Sequence, residues 1–133
     1  MVEITANMEN FLQEQRMIRV ATVAPDGSPN VAPFCFFMNE GSVHVLTRPE
    51  TKTVKNIRKN PEVAFLIDSY DEDWSKNRFL MLKGIATLIE DSKKTEELRA
   101  VRKAKYPQQA DAPPDRKWTV IRINPTTIFP FRI

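Results

Sequence analysis

The sequence predicts a mainly β fold of the α+β class: an antiparallel barrel of six or seven strands with about three covering helices. Three observations lead there. Strand-like and helix-like segments alternate irregularly, which excludes a regular βαβ repeat. The first strands are joined by tight turns, so they run antiparallel. Closing the sheet is the simplest way to hide that many strand edges. The 133 residues read as one domain, 1–133, long enough to bury a core without disulfide or metal staples.

In chain order, residues 5–15 place Met8, Phe11 and Leu12 at helical spacing, with Thr5 positioned to cap. Residues 18–24 form a strand, and Pro25-Asp26-Gly27-Ser28 is turn chemistry. A second strand is expected over 30–38, a turn over 39–42 and a third strand over 43–47, the three forming a meander. Residues 51–60 switch to helical period, with Val54 and Ile57 on one side and Lys52, Lys55 and Lys59 on the other. Asn60-Pro61 stops that helix, because proline disfavours a helical residue before it. A short buried-type strand follows at 63–67, then a polar loop at 69–77. Residues 78–89 are a long strand containing Gly84, where an internal glycine signals a bulge or close backbone approach. The last helix covers 91–105, capped by Asp91 or Ser92, with Leu98 and Val101 facing inward. A proline-rich loop at 106–116 leads to closing strands at 117–123 and 127–131.

Composition excludes several functions. With 20 Lys and Arg against 17 Asp and Glu, the net charge of +3 suits solubility or a small anionic ligand better than a nucleic-acid surface. Phe34, Phe36 and Phe37 form an apolar run instead of the exposed aromatics, interleaved with basic residues, that single strands stack on. No apolar run is long enough to span a membrane, and the N-terminus does not read as a signal peptide, so a cytoplasmic location is expected. One Cys and one His exclude a local structural zinc site, and no metal is expected. Three glycines leave no GxGxxG and no P-loop. Cys35 is expected to be a buried, inert thiol. His44 is expected to be a strand residue at a surface or interface. No catalytic acid, base or nucleophile can be assigned.

The informative stretch runs from 45 to 61. A strand ends at Thr47 and a helix begins near Thr51, with Thr47, Arg48, Thr51, Lys52 and Thr53 clustered between and around them. A helix N-terminus offers free N–H groups and positive dipole, threonine hydroxyls add donors, and Arg and Lys add charge-assisted bonds. That set can hold a phosphate without a glycine-rich loop, provided Glu50 points away. A capped helix with a solvated basic face has the same composition.

Residues Thr22 to Pro29, Pro33-Phe34, Thr51-Lys52-Thr53, Asn60-Pro61-Glu62-Val63 and Gly84-Ile85-Ala86 follow one another in a particular order. In that order and spacing the chain resembles the FMN-binding split-barrel family, the pyridoxamine 5′-phosphate oxidase-like proteins. The match covers about residues 15–90, with the closing strand at 118–123. The resemblance implies an antiparallel split β-barrel that binds FMN. Its phosphate would lie near Lys52 and Thr53. Its ring would lie along Asn30, Val31, Ala32, Pro33 and Phe34, with Leu46 and Thr47 close by. The resemblance also implies a homodimer with the flavin at the interface, where Trp74, Tyr106 and Trp118 are candidate linings from the partner. The apolar strand residues Phe34, Phe36 and Phe37 add to that expectation, since strand neighbours alternate sides and cannot share one interior. A small-molecule electron donor and acceptor would complete an oxidoreductase, with the cofactor carrying the chemistry. The alternatives are a non-catalytic FMN-binding or electron-transfer protein and a reductase using the deazaflavin F420. The chain lacks the extended C-terminus of the true oxidases, so pyridoxamine phosphate is not the expected substrate.

Overall fold

The computed structural model describes residues 2–113 and 115–133. Pro114, inside the expected loop at 106–116, lies outside the described residues. The helices are α1 (Ala6–Glu14), α2 (Lys52–Lys59) and α3 (Ser92–Lys105). The strands are β1 (Met17–Val23), β2 (Pro29–Cys35), β3 (Phe37–Asn39), β4 (Ser42–Thr47), β5 (Glu62–Ser69), β6 (Arg78–Ile89) and β7 (Thr119–Phe131). Each helix begins on a side chain that accepts from the open first turn. Thr5 takes the Met8 N–H at 3.3 Å, Thr51 the Val54 N–H at 3.3 Å, and Asp91 the Lys94 N–H at 2.9 Å. The β1–β2 hairpin turns on Gly27 at φ +87°, a conformation L side chains resist.

The seven strands make one antiparallel sheet in the order β2-β1-β5-β6-β7-β4-β3. It is mainly β, an α+β half-barrel with three helices. Two edges of this sheet are consecutive in sequence. β2 ends at Cys35 and β3 begins at Phe37, so one residue carries the chain from one edge of the curled sheet to the other.

That crossing corrects the expected strand over 30–38 and the three-strand meander. β2 pairs with β1, whereas β3 pairs with β4, and the halves part at Phe36. A run of apolar residues cannot report this break, because both halves keep extended backbone. Two further boundaries differ. The segments expected at 117–123 and 127–131 join in one strand, β7, because a bulge at Thr126, opposite Lys83 and Gly84, carries the ladder past Pro125 without ending it. The loop at 69–77 contains a short 3-10 turn, Trp74–Lys76, capped by Asp73.

Two cores follow from the strand alternation. Ile18, Val20, Phe36, Phe65, Ile67, Leu80, Leu82, Ile121 and Ile123 fill the barrel, closed by Phe11 and Leu12 of α1 and Val54 and Ile57 of α2. On the outer face, Phe37, Leu46 and Val120 lie under Leu98 of α3. Successive Phe36 and Phe37 therefore enter different cores, and neither needs a partner chain to cover it. Within α3 the inward positions are Thr95, Leu98 and Arg99, while Val101 is exposed, contrary to its expected place. Cys35 is exposed instead of buried. His44 is 3 % exposed instead of lying at a surface. Its Nδ1 lies 2.9 Å from the Ser42 carbonyl, and its ring lies 5.5 Å from that of Phe37.

Phe36 belongs to neither ladder, so its buried backbone groups need another partner. Tyr106, at the end of α3, supplies it. The Phe36 N–H donates to the tyrosine hydroxyl at 3.2 Å, and the carbonyls of Phe36 and Arg16 lie 2.6 and 2.9 Å from that oxygen. Tyr106 thus ties the strand crossing to the helix, which corrects its expected role as a flavin lining. Tyr106→Phe is expected to destabilise the fold by about 2–3 kcal/mol, because it strands buried backbone groups while keeping the ring. Urea unfolding with an unchanged m-value measures this. A loss below about 0.5 kcal/mol would show that the hydroxyl does not hold the crossing.

Candidate functional site

The break at Phe36 makes the site. β3 pairs with β4 in the register Phe37 with His44. Continued through Phe36, that register would set Phe34 opposite Thr47. Instead β2 turns away to β1, and Val45 to Thr47 pair only with β7. A fork opens between β2 and the second half of β4. The predicted residues Asn30 to Phe34 form one prong, and Leu46 and Thr47 lie on the other. Arg48 and the start of α2 follow directly from the second prong.

The prong at β2 has a defined chemistry. In an antiparallel ladder, alternate residues turn their N–H and C=O toward the neighbour. Proline has no N–H, so Pro29 and Pro33 occupy positions turned away from β1. Val31 lies between them with the same orientation, and its N–H and C=O face outward. The prolines discourage strand addition at this edge and leave carbonyls for a ligand. Val31 and Pro33 are exposed, while Asn30, Ala32 and Phe34 are half-buried, with Phe34 packed on the barrel core. On the other prong, the Leu46 side chain is buried under α3, so only its backbone can serve the fork. Thr47 is buried to 8 % exposure.

At the base of the fork, α2 is pinned by a buried bond from Asn56 Nδ2 to Thr22 Oγ1 of β1 at 3.0 Å. The sequence alone does not single out Asn56. Its bond fixes where the helix N-terminus points. Thr51 Oγ1 accepts the Val54 N–H as the cap, so it orders the first turn while its O–H remains able to donate. Thr53 is buried. Lys52, the first helical residue, is exposed and has no carboxylate within ion-pair distance among the described residues. Arg48 is different. It pairs with Glu50 at 2.8 Å, so Glu50 does not point away as a shared phosphate site requires. Asp26, at the tip of the β1–β2 hairpin, has its carboxyl held below the usual range. The cause is chiefly the Ser28 hydroxyl and N–H, with a small contribution from Lys52.

The other aromatic candidates separate. Trp118 packs on the outer core, with the Arg99 and Arg116 guanidinium carbons 5.0 and 5.6 Å from its ring. Trp74 is 72 % exposed beside the bare part of the sheet. That bare part was missed. Beyond the cover of α3, the outer face carries Val31, Leu66, Met81, Phe79, Phe129 and Phe131. Phe79 and Phe131 stack at 5.2 Å. The signal was present in the outward positions of β6 and β7, which alternate with the core positions yet are aromatic. A hollow of about 950 Å³, lined among others by Pro49, Glu90, Arg99 and Trp118, lies under α3; of the residues singled out from the sequence it includes Trp118 and none of the fork residues.

Fold and fork together define a split-barrel protein with an open cleft between two diverging strands. The family model for pyridoxamine 5′-phosphate oxidase matches residues 4–131, and the chain belongs to that family. The heme oxygenase HutZ of Vibrio cholerae is 29 % identical over 87 residues, 62 % of this chain and 49 % of that protein. The chain therefore spans about half the length of that curated relative. Among solved structures, a pyridoxamine 5′-phosphate oxidase assigned as putative in Listeria innocua superposes with a TM-score of 0.74 at 24 % identity, covering 96 % of this chain and 97 % of that one. A structure named F420 reductase superposes with a TM-score of 0.73 at 23 % identity, covering 91 % and 94 %. These likenesses establish the fold. Among the described residues, no helix is long and apolar enough to cross a membrane.

Proposed function

We propose that this protein is a homodimeric FMN-binding protein, an oxidoreductase that passes reducing equivalents between small molecules. The observation that carries this is the fork. An edge strand with outward backbone groups at Val31 lies across from Thr47, and the free N-terminus of α2 with unpaired Lys52 closes one end. A flat heterocycle with a polar edge matches the strand, and a phosphate matches the helix start. FMN, when bound, supplies the redox chemistry. The chain's own residues bind and orient it: Lys52 and the first N–H groups of α2 hold the phosphate, and the Val31 backbone positions the ring.

The choice of the fork over the larger hollow under α3 rests on chemistry. That hollow mixes Glu90, Glu96 and Asp115 with Arg99, Arg116 and Lys117, whereas Lys52 at the α2 start has no carboxylate within ion-pair distance among the described residues.

A deazaflavin would use the same strand edge, and the likeness to the F420 reductase keeps it as the second reading. A haem held by histidine does not fit. The single histidine, His44, is buried in strand β4, and burial pushes its pKa down. Titration of the purified protein with FMN, riboflavin, F420 and haemin tests the proposal. Flavin fluorescence is expected to be quenched with a micromolar or lower Kd for FMN. Absence of FMN binding at about 100 μM, under roughly 5.5 kcal/mol, would overturn it.

The bare aromatic face supports the dimer. Six apolar side chains on one uncovered sheet face are costly to leave in water, and a two-fold copy is the commonest cover. Light scattering of the FMN-loaded protein is expected to give twice the 15.4 kDa chain mass. Phe129→Lys is expected to shift it toward the monomer. A monomer in the unaltered, flavin-loaded protein would count against the dimer.

A further inference from the structure

Outside the fork, the joint between α3 and the outer sheet face holds the single histidine of the chain. His44 is 3 % exposed and shares its face of β4 with Leu46, two residues on. Its ring lies 5.5 Å from that of Phe37 on β3, and the register sets it opposite Arg122 of β7. Nδ1 donates to the Ser42 carbonyl at 2.9 Å, so an added proton goes to Nε2. His44 makes no other hydrogen bond among the described residues. Arg122 adds a second unmet demand at the same place, since its Nε is buried without a partner.

The helix above this joint is lightly fastened. Its outer core is Phe37, Leu46, Leu98 and Val120, with Ile89 and Trp118 at the margin, whereas the barrel core draws on every other strand and two helices. The hollow of about 950 Å³ is lined by Ser92, Thr95, Glu96 and Arg99 of the same helix, so that flank of α3 has little packed against it. A helix with so few buried apolar contacts opens at a lower free energy than the core strands do.

We propose that α3 is an acid-released strap: protonation of His44 undocks the helix from the outer face and, through Tyr106, frees the strand crossing at Phe36. A charged imidazole at this position gains its hydration only when its cover lifts. The charged groups that face it do not replace that water. Arg122 of β7 and Lys94 of α3 repel an imidazolium, and Glu40 in the β3–β4 turn alone attracts it. Tyr106 ends α3 and lies 2.6 Å from the Phe36 carbonyl, so a lifted helix takes away the bonds that hold the crossing.

The acidity of the ring agrees with this geometry. Burial lowers the His44 pKa below its ordinary 6.5, aided by Arg122 and Lys94 and opposed by the Ser42 carbonyl and Glu40. In the undocked state the ring is an ordinary histidine, so that state binds more protons below pH 6.5. The docked state therefore keeps its full advantage above that value and loses it as pH falls through it. One proton taken up on opening raises the opening constant by up to about tenfold per pH unit.

The test uses the full chain without an affinity tag, from about pH 8 to about pH 5. With one histidine, a single ring-proton NMR signal reads its titration, and it is expected below 6.5. Hydrogen exchange, corrected for the intrinsic rate, reads the opening. Protection of α3 and of residues 34–38 is expected to fall by up to about tenfold per pH unit below 6.5, while β5 and β6 keep theirs within about twofold. A Trp74→Phe chain leaves Trp118, packed beside Leu98 of α3, as its only tryptophan, and its emission is expected to move to the red over the same range. His44→Gln and His44→Phe are expected to remove the pH dependence from exchange and emission alike. Where a variant fails to fold, the coincidence of the ring titration with the loss of α3 protection in the unaltered chain decides the matter. A ring that titrates at or above 6.5, protection lost equally in α3 and the barrel strands, or the same pH dependence in a folded His44 variant would overturn the proposal.

Discussion

Lys52→Ala is expected to weaken FMN binding by about 1.5–3 kcal/mol, the worth of a hydrogen bond to a charged group. Riboflavin affinity should barely change, because riboflavin has no phosphate. The position decides the size of the effect. Lys52 opens α2, where the free N–H groups and the dipole act on the same anion. Lys55 lies one turn on, and Lys59 lies at the far end of the helix. Lys59→Ala should therefore leave both ligands unchanged, since a solvated helix-face charge contributes little. Arg48 is the informative comparison. Its guanidinium is engaged by Glu50, so Arg48→Ala should cost less than Lys52→Ala. Isothermal titration of the three variants with FMN and riboflavin separates the outcomes. Equal losses for FMN and riboflavin on Lys52→Ala would mean that the lysine acts through the ring or the fold. No loss for either would move the phosphate off α2.

Gly84→Ala is expected to be the most damaging single-atom addition to the fold. A Cβ at Gly84 would lie 2.1 Å from the Asn124 carbonyl oxygen, 2.8 Å from Pro125 Cα and 2.9 Å from the Asn124 carbonyl carbon. All three are backbone, so no side chain can swing aside. The obstacle sits at the bulge where the β6–β7 register shifts, beside the bond from Asn124 Nδ2 to Thr87 Oγ1 at 2.9 Å. Relief requires moving β7, and the cost should be about 3 kcal/mol or more. For a chain of this length that lowers the melting temperature by about 10 °C or more. Gly27→Ala is the control. Nothing lies within 4 Å of its added Cβ, so only the positive φ opposes it, at about 1–2 kcal/mol. Calorimetry of both variants measures the difference. If Gly84→Ala cost no more than Gly27→Ala, the close approach of β6 and β7 would be wrong.

Much of this molecule was legible in one dimension. The caps Thr5, Thr51 and Asp91 are local chemistry, since a side-chain oxygen reaches an N–H three residues on whatever the rest of the chain does. Gly84 was legible for a similar reason, because few other roles suit a lone glycine in a long apolar strand. The grouping of Thr47, Thr51, Lys52 and Thr53 at a strand-to-helix junction needed only the order of elements.

The particular uses of those residues were not legible. A phosphate site shared by all the cations required Glu50 to turn away, yet it pairs with Arg48. Both directions are open to a flexible carboxylate beside a flexible guanidinium. Asn56 is an ordinary amide in the sequence and becomes the brace of α2 only because Thr22 of β1 faces it. Cys35 and His44 exchanged expected environments. Strand alternation says that neighbours face opposite sides, but it cannot say which side α3 will cover.

By itself the sequence determined the local periods, the turns and the helix starts, because each depends on residues within a few positions of one another. Only the tertiary structure decided that the strand breaks at Phe36. There the pairing of β2 with β1 and of β4 with β7 competes with a continuous β2–β3–β4 ladder, and the choice depends on residues far apart in the chain. Tyr106, 70 positions from Phe36, supplies the bonds that the break removes. The fork and the exposed backbone of Val31 follow from that long-range choice, and the bare face at Phe79, Phe129 and Phe131 follows from where α3 stops covering the sheet.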